Sequence, residues 1–106
     1  MGAQLDRDLH EGELTIFGRF HARPGREAEV AAAIAEVVPP TRAERECLGI
    51  GAYRSAGDGA LFFIHSRWTN ETAFEVHAGL PHTIAFLARV QPLIDHPLDV
   101  NRTRPL

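Results

Sequence analysis

The chain is poor in cysteine and in positive charge. Cys47 is the single cysteine among 106 residues, so no internal disulfide can form. Without a Cys-x-x-Cys pair there is neither a thiolate zinc site nor a redox motif. Eleven Lys and Arg against fourteen Asp and Glu give a formal net charge of -3. Because nucleic-acid phosphates require a basic surface, we expect no nucleic-acid partner.

Long apolar runs and common catalytic signatures are missing as well. No stretch approaches the roughly 20 apolar residues of a bilayer span. The opening MGAQLDRDLHEGE is polar where a signal peptide would be apolar. We therefore expect a cytoplasmic protein with no membrane partner. The sequence has no Gly-x-Ser-x-Gly elbow and no glycine-rich phosphate loop, which argues against a serine hydrolase and a nucleotide-binding enzyme.

The bulk composition is that of a globular domain. Hydrophobic residues make up 44% of the chain and charged residues 24%. A length of 106 residues suits one domain with a modest core. We predict a flexible N-terminal arm over residues 1–12 and a single domain over residues 13–106.

Local patterns predict four strands and three helices. The predicted strands cover residues 13–21, 47–55, 60–68 and 96–104, and the predicted helices cover residues 23–40, 71–78 and 81–93. We expect Pro39 and Pro40 to end the first helix. Asn70 or Thr69 can cap the second helix, and Pro81 can open the third.

The order of these elements predicts an α+β, ferredoxin-like β-α-β-β-α-β fold, with an antiparallel four-stranded sheet and helices on one face. Residues 61–64 are apolar without interruption, so their side chains reach both faces of the sheet. Phe17 is apolar on the face opposite Leu14 and Ile16. Because helices can cover one face only, we predict a homodimer that packs through its sheet faces.

Two histidines near the end of the second helix are the candidates for chemistry. His77 and His82 are five residues apart, about 140° around an ideal helix, and Pro81 lies between them. No neighbouring Cys, Asp or Glu completes a ligand set, and residues 42–46 read as a solvated connection. The sequence therefore predicts no metal site.

A small apolar pocket is the remaining interpretation. Trp68 shares a strand face with Ile64 and Ser66, and the helical segment could place His77 and His82 over that face. A histidine there could act as a general base near neutral pH. Taken singly, each residue also has a structural explanation, because Trp68 could be core, His77 could bond the last helix carbonyls and His82 could be exposed.

The segment ALFFIHSRWTNETAFEVHAGLPHTIAF resembles the antibiotic biosynthesis monooxygenase family. The resemblance rests on Trp68 at the end of an aromatic strand, His77 at the end of a short helix, and His82 followed by Phe86. It extends over roughly residues 13–103 and implies a dimeric α/β barrel. Relatives often have Glu where this chain has Ser66, and haem-degrading relatives have Asn near the position of Gly18.

The resemblance implies an enzyme, a monooxygenase that needs no cofactor and oxidises a small aromatic or quinol-like substrate with O2. In this hypothesis His77 is the base, His82 assists it and Trp68 belongs to the catalytic group. The predicted substrate-binding residues are Phe86, Ser66, Ile64, Phe20 and Tyr53.

Two other hypotheses stay open at this point. The chain could be a haem-binding or haem-degrading protein with His77 as axial ligand, although the absence of Asn on the first strand weakens this. It could also be a dimeric small-molecule-binding or stress-related protein whose pocket performs no chemistry.

Overall fold

The computed structural model describes residues 12–106, so the predicted arm over residues 1–12 lies, except for Gly12, outside the described residues. The strands are β1 (Leu14–His21), β2 (Cys47–Arg54), β3 (Leu61–Trp68) and β4 (Asp99–Thr103). The helices are α1 (Glu27–Arg42), α2 (Glu71–Ala78) and α3 (Pro81–Val90), and a 3-10 turn over Gln91–Leu93 follows α3. No helix in the described part of the chain is long and apolar enough to cross a membrane.

The four strands form one antiparallel sheet in the order β2-β3-β1-β4. This is the ferredoxin-like β-α-β-β-α-β arrangement, and the fold prediction is confirmed. Leu14 pairs with Trp68 and Ile16 with Ser66 across β1 and β3. Because side chains alternate along a strand, this register places all four on the face that the helices cover.

The first helix corrects one prediction, since Pro39 and Pro40 lie inside α1 and do not end it. A proline lacks the N–H that would bond the carbonyl four residues earlier. Those carbonyls belong to Ala35 and Glu36, which are exposed, so water can satisfy them. The fixed φ of proline also suits a helix, which therefore continues to Arg42.

The short second helix has the start that the sequence predicted. The side-chain oxygen of Asn70 accepts a hydrogen bond of 2.8 Å from the backbone N–H of Ala73. Gly79 ends the helix, Leu80 is extended and Pro81 occupies the first turn of α3. The break changes the direction of the chain between α2 and α3. The separation of about 140° that an unbroken helix would give His77 and His82 therefore does not apply.

The core has two parts. The larger part lies between the sheet and helices α1 and α3, and contains Phe20, Val30, Ile34, Phe62, Phe86 and Val90. The smaller part lies beneath α2 and contains Leu14, Ile16, Trp68 and Ala73.

Within residues 12–106 no helix covers the outer face of the sheet, and aromatic side chains are exposed on it. Phe17 is 51% exposed, Tyr53 58% and Phe63 37%. Tyr53 pairs with Phe63 across β2 and β3, and the ring of Phe17 lies 5.0 Å from that of His65. The sequence prediction that both faces of the sheet are apolar is therefore correct for this face.

Candidate functional site

A cavity of about 300 Å³ lies between the sheet and the helices, where the two parts of the core meet. Ile16, Gly18 and Ile64 line it from the sheet, and Phe86 lines it from α3. This volume is at the lower end of the range for small-molecule pockets. The wall is mainly apolar, with three hydroxyl side chains, one imidazole and Arg102, which is the common composition of a site for a small organic ligand.

The absence of a side chain at Gly18, in the middle of β1, leaves space for the ring of Phe20. A Cβ at Gly18 would lie 3.1 Å from Cε2 of the Phe20 ring. The Phe20 ring in turn meets that of Phe86 edge-on, with centroids 5.6 Å apart. Gly18 therefore allows an aromatic pair to form one end of the cavity.

His77 contributes the imidazole of the cavity wall, and a carboxylate holds it in place. Nδ1 of His77 lies 2.6 Å from Oε2 of Glu44 and 3.2 Å from Oγ1 of Thr83. Nε2 of His82 lies 2.7 Å from the same Glu44 oxygen. The three side chains come from α2, α3 and the connection after α1, and each is mostly buried.

These contacts decide which nitrogen of His77 can act as a base. A carboxylate only accepts hydrogen bonds, so Nδ1 of a neutral His77 carries the proton and Nε2 carries the lone pair. No described residue hydrogen-bonds Nε2 of His77. The arrangement resembles the carboxylate–histidine pairs in which the carboxylate orients the imidazole and stabilises its protonated form.

Trp68 packs against the His77 ring and does not line the cavity. It is 1% exposed, and its ring centroid lies 4.6 Å from that of His77. The indole N–H donates a hydrogen bond of 3.0 Å to Oγ of Ser66, which does line the cavity. Trp68, which the sequence assigned to the catalytic group, therefore contacts the His77 ring and not the cavity.

The other predicted site residues divide into two groups. Phe86, Ser66, Ile64 and Phe20 all line the cavity with His77. Tyr53 does not line the cavity, since it lies on the outer face of β2. His82 borders a smaller neighbouring cavity of about 170 Å³. It shares the Glu44 carboxylate with His77, and the two imidazole centroids lie 5.9 Å apart.

Glu44 is the site residue that sequence reasoning missed. It was placed in a solvated connection, yet its carboxylate is mostly buried between the two histidines. The contacts join residues 33 and 38 positions apart, and no local pattern indicates them. The statement that no acidic residue completes a ligand set is corrected as well, because one ligand atom from each of Glu44, His77 and His82 lies within 4.8 Å of the others.

Two further chemistries fit this site less well. A haem is poorly matched to a cavity of about 300 Å³, and Gly18 leaves β1 without a polar side chain at the position where haem-degrading relatives have Asn. Cys47 is half-buried, and desolvation raises the pKa of its thiol, which disfavours the thiolate that a nucleophile requires.

The chain is similar to known proteins in both sequence and structure. Residues 14–89 match the family described as antibiotic biosynthesis monooxygenase. The chain is 31% identical over 93 residues to "Putative monooxygenase Rv0793" of Mycobacterium tuberculosis, covering 88% of this chain and 91% of that protein. It is 27% identical over 81 residues to "Putative monooxygenase YcnE" of Bacillus subtilis, covering 76% and 85%.

Solved structures agree with the fold. The structure of Rv0793 superposes with a TM-score of 0.85 at 29% identity, over 90% of this chain and 96% of that one. The structure of PA3566 from Pseudomonas aeruginosa superposes with a TM-score of 0.84 at 24% identity, over 92% and 97%. The resemblance noted from the residues alone is confirmed.

Proposed function

The chain belongs to the antibiotic biosynthesis monooxygenase family, and from this premise we propose that it is a monooxygenase that oxidises a small aromatic or quinol-like compound with O2 and without a cofactor. The observation that carries the proposal is the Glu44–His77 pair at the wall of an apolar cavity. The pair supplies a base, and the cavity supplies space for an aromatic ring. A volume of about 300 Å³ favours compounds of two or three fused rings at most.

In this reaction His77 begins the chemistry. Nε2 removes a proton from a phenol, or from a CH2 group that a neighbouring carbonyl has made acidic, and Glu44 stabilises the imidazolium that forms. The electron-rich anion then reacts directly with O2 and forms a C–O bond. When a CH2 group becomes a carbonyl, one oxygen atom enters the product and the other leaves as water with both hydrogens. The substrate supplies all four electrons, so no external reductant is consumed.

Oxygen uptake tests the proposal. Purified, metal-free protein is mixed with quinols, anthrones and related phenols, and O2 consumption is compared with the rate without protein. We expect uptake above that rate for at least one compound, with product that carries one atom of ¹⁸O from ¹⁸O2 in the new carbonyl. Ligand-induced thermal stabilisation without any uptake would instead favour a protein that binds small molecules without chemistry.

A second candidate function, metal-dependent oxidation, is favoured by one observation. Glu44, His77 and His82 offer two imidazoles and one carboxylate, the ligand set of many non-haem iron oxygenases. Equilibrium dialysis against Fe²⁺ and Zn²⁺ distinguishes the candidates. Stoichiometric binding that is lost in Glu44→Gln, together with uptake that requires Fe²⁺, would replace the cofactor-independent mechanism.

We also propose that the protein is a homodimer packed through its sheet faces. The exposed aromatic side chains of Phe17, Tyr53 and Phe63 support this, since a second copy would remove them from water. Light scattering after gel filtration should give the dimer mass for the native protein and the monomer mass for Phe17→Glu. Ile84→Glu is the matched control, because Ile84 is equally exposed on α3 and should leave the dimer intact. A monomeric native protein would refute the proposal.

A further inference from the structure

One buried hydroxyl on the cavity wall has no partner. In residues 12–106, Oγ1 of Thr41 is the buried side-chain oxygen or nitrogen that makes no hydrogen bond. Thr41 is 1% exposed and lines the 300 Å³ cavity from the last turn of α1. A buried hydroxyl without a partner destabilises the folded protein, so its presence here requires a physical reason.

The helix itself does not supply the missing partner. A threonine in a helix commonly hydrogen-bonds through its hydroxyl to the carbonyl four residues earlier, here that of Val37. Thr41 makes no such bond. The backbone around it is held firmly, because Pro40 precedes it and the Arg42 guanidinium donates a hydrogen bond of 3.0 Å to the carbonyl of Ile50 on β2. The hydroxyl is therefore set at one place on the wall.

The other hydroxyls of the cavity are already engaged within the protein. Oγ of Ser66 accepts the indole N–H of Trp68 at 3.0 Å, and Oγ1 of Thr83 lies 3.2 Å from Nδ1 of His77. Ser66 and Thr83 each keep a hydrogen that they could donate, whereas Thr41 is the cavity hydroxyl with no hydrogen-bond partner among residues 12–106. Most other residues of the wall, including Val37 and Ile50, are apolar, and Arg102 is its one formally charged member.

We propose that Thr41 determines substrate specificity by donating a hydrogen bond to a carbonyl-type oxygen of the ring compound in the cavity. The inference rests on the proposed function and deepens it, because it names the substrate class as small aromatic ketones and their quinone-like relatives. The hydroxyl donates and the substrate oxygen accepts, which satisfies both groups in a dry site. A carbonyl also makes the neighbouring C–H acidic, as removal of a proton by His77 requires.

Binding, not turnover, tests this inference. The probes are 1-tetralone and tetralin, two bicyclic compounds that differ in one carbonyl, and their dissociation constants are measured by calorimetry or ligand-observed NMR. We expect native protein to prefer the ketone by about tenfold, the effect of one neutral hydrogen bond. Thr41→Val keeps the shape of the side chain and should reduce that preference to about twofold or less. Thr41→Ser, which keeps the hydroxyl, should retain it.

The stability of the ligand-free variants provides an independent readout. Thr41→Val should melt at the same temperature as the native protein or higher, because it removes an unsatisfied polar atom. A clear loss of stability in Thr41→Val would show that the hydroxyl has a partner within the protein, and would overturn the inference. If Thr41→Val does not fold, Thr41→Ser against Thr41→Ala isolates the hydroxyl in the same way.

The two proposals fail differently. The protein could prefer the ketone in a way that depends on Thr41 and yet consume no oxygen with any compound. That result would support the binding role of Thr41 and refute the monooxygenase activity. Oxygen uptake together with equal affinity for both probes would uphold the enzyme and overturn the role of Thr41.

Discussion

Two histidine–carboxylate groups lie in different parts of this molecule. At one end of β1, Nδ1 of His21 lies 2.7 Å from Asp95 and Nε2 lies 3.3 Å from Asp58. In the other group His77 and His82 share Glu44. Both nitrogens of His21 face carboxylates, so neither is left to receive a proton from a substrate. His77 has one carboxylate contact and lines the cavity, which shows that access to a ligand separates a candidate base from a surface ion pair.

The largest expected effect comes from removing the proposed base. His77→Gln should lower kcat for an oxidised substrate by about 10²–10⁴-fold, the usual contribution of a general base. His21→Gln, the matched control, should change kcat by no more than about twofold, because His21 is outside the cavity wall. The measurement is initial O2 uptake by each folded variant. Equal losses of kcat in the two variants would contradict the assignment of His77, and not His21, as the base.

Neutralising the carboxylate should have the next largest effect. Glu44→Gln keeps the base but loses a hydrogen bond to a charged acceptor, which corresponds to about ten- to a hundredfold in kcat. KM should change little, since Glu44 does not line the cavity. Asp95→Asn is the control at His21 and should leave kcat unaltered. A rise in KM with kcat unchanged would contradict the orienting role of Glu44.

Removing the second histidine should have a smaller effect. His82→Gln leaves the bond between Glu44 and His77 in place, and a two- to tenfold loss in kcat, roughly that of one neutral hydrogen bond, is expected. Steady-state O2 kinetics measure it. A loss in kcat as large as that of His77→Gln would instead favour His82 as the base. Its side chain would then have to reach the cavity, which it does not line in this structure.

The smallest effect concerns pH and the surface group. The hydrogen bond that the His21 ring donates to the Asp95 carboxylate raises the pKa of His21, and the same contact lowers the pKa of Asp95. A raised histidine pKa stabilises the fold below its unfolded value of about 6.5, and this stabilisation is lost as pH rises through the folded value. Melting temperatures from about pH 6 to about pH 8 should therefore fall slightly more in the native protein than in Asp95→Asn. Parallel curves of melting temperature against pH would show that the His21–Asp95 pair contributes nothing to the pH dependence of stability.

Several features of the fold could be read from local sequence because local physics determines them. The alternation of Leu14, Ile16 and Phe20 set the buried face of β1, and Asn70 capped α2 as its type and position indicate. The helix break at Gly79 and Pro81 was equally visible. The end of α1 was not, because the cost of Pro39 and Pro40 depends on whether the carbonyls they leave unpaired reach water.

The candidate site was predictable only in part. Strand alternation indicated the face of Phe20, Ile64 and Ser66, and the family resemblance supplied Phe86, whereas Tyr53 was assigned to the pocket without a register to fix its face. The packing of the His77 ring on Trp68 could not be predicted, because it is a contact between separate elements.

The sequence by itself determined the order of the elements and the buried face of β1, since both depend on residues a few positions apart, and the motif from Trp68 to Phe86 indicated the family. The tertiary structure alone decided that Glu44 reaches His77 and His82, and that the hydroxyl of Thr41 lies unpartnered on the cavity wall. Both facts depend on how α1 and the connection after it pack against β2 and the α2–α3 break. Such packing brings together residues more than 30 positions apart, and no periodicity in the chain encodes it.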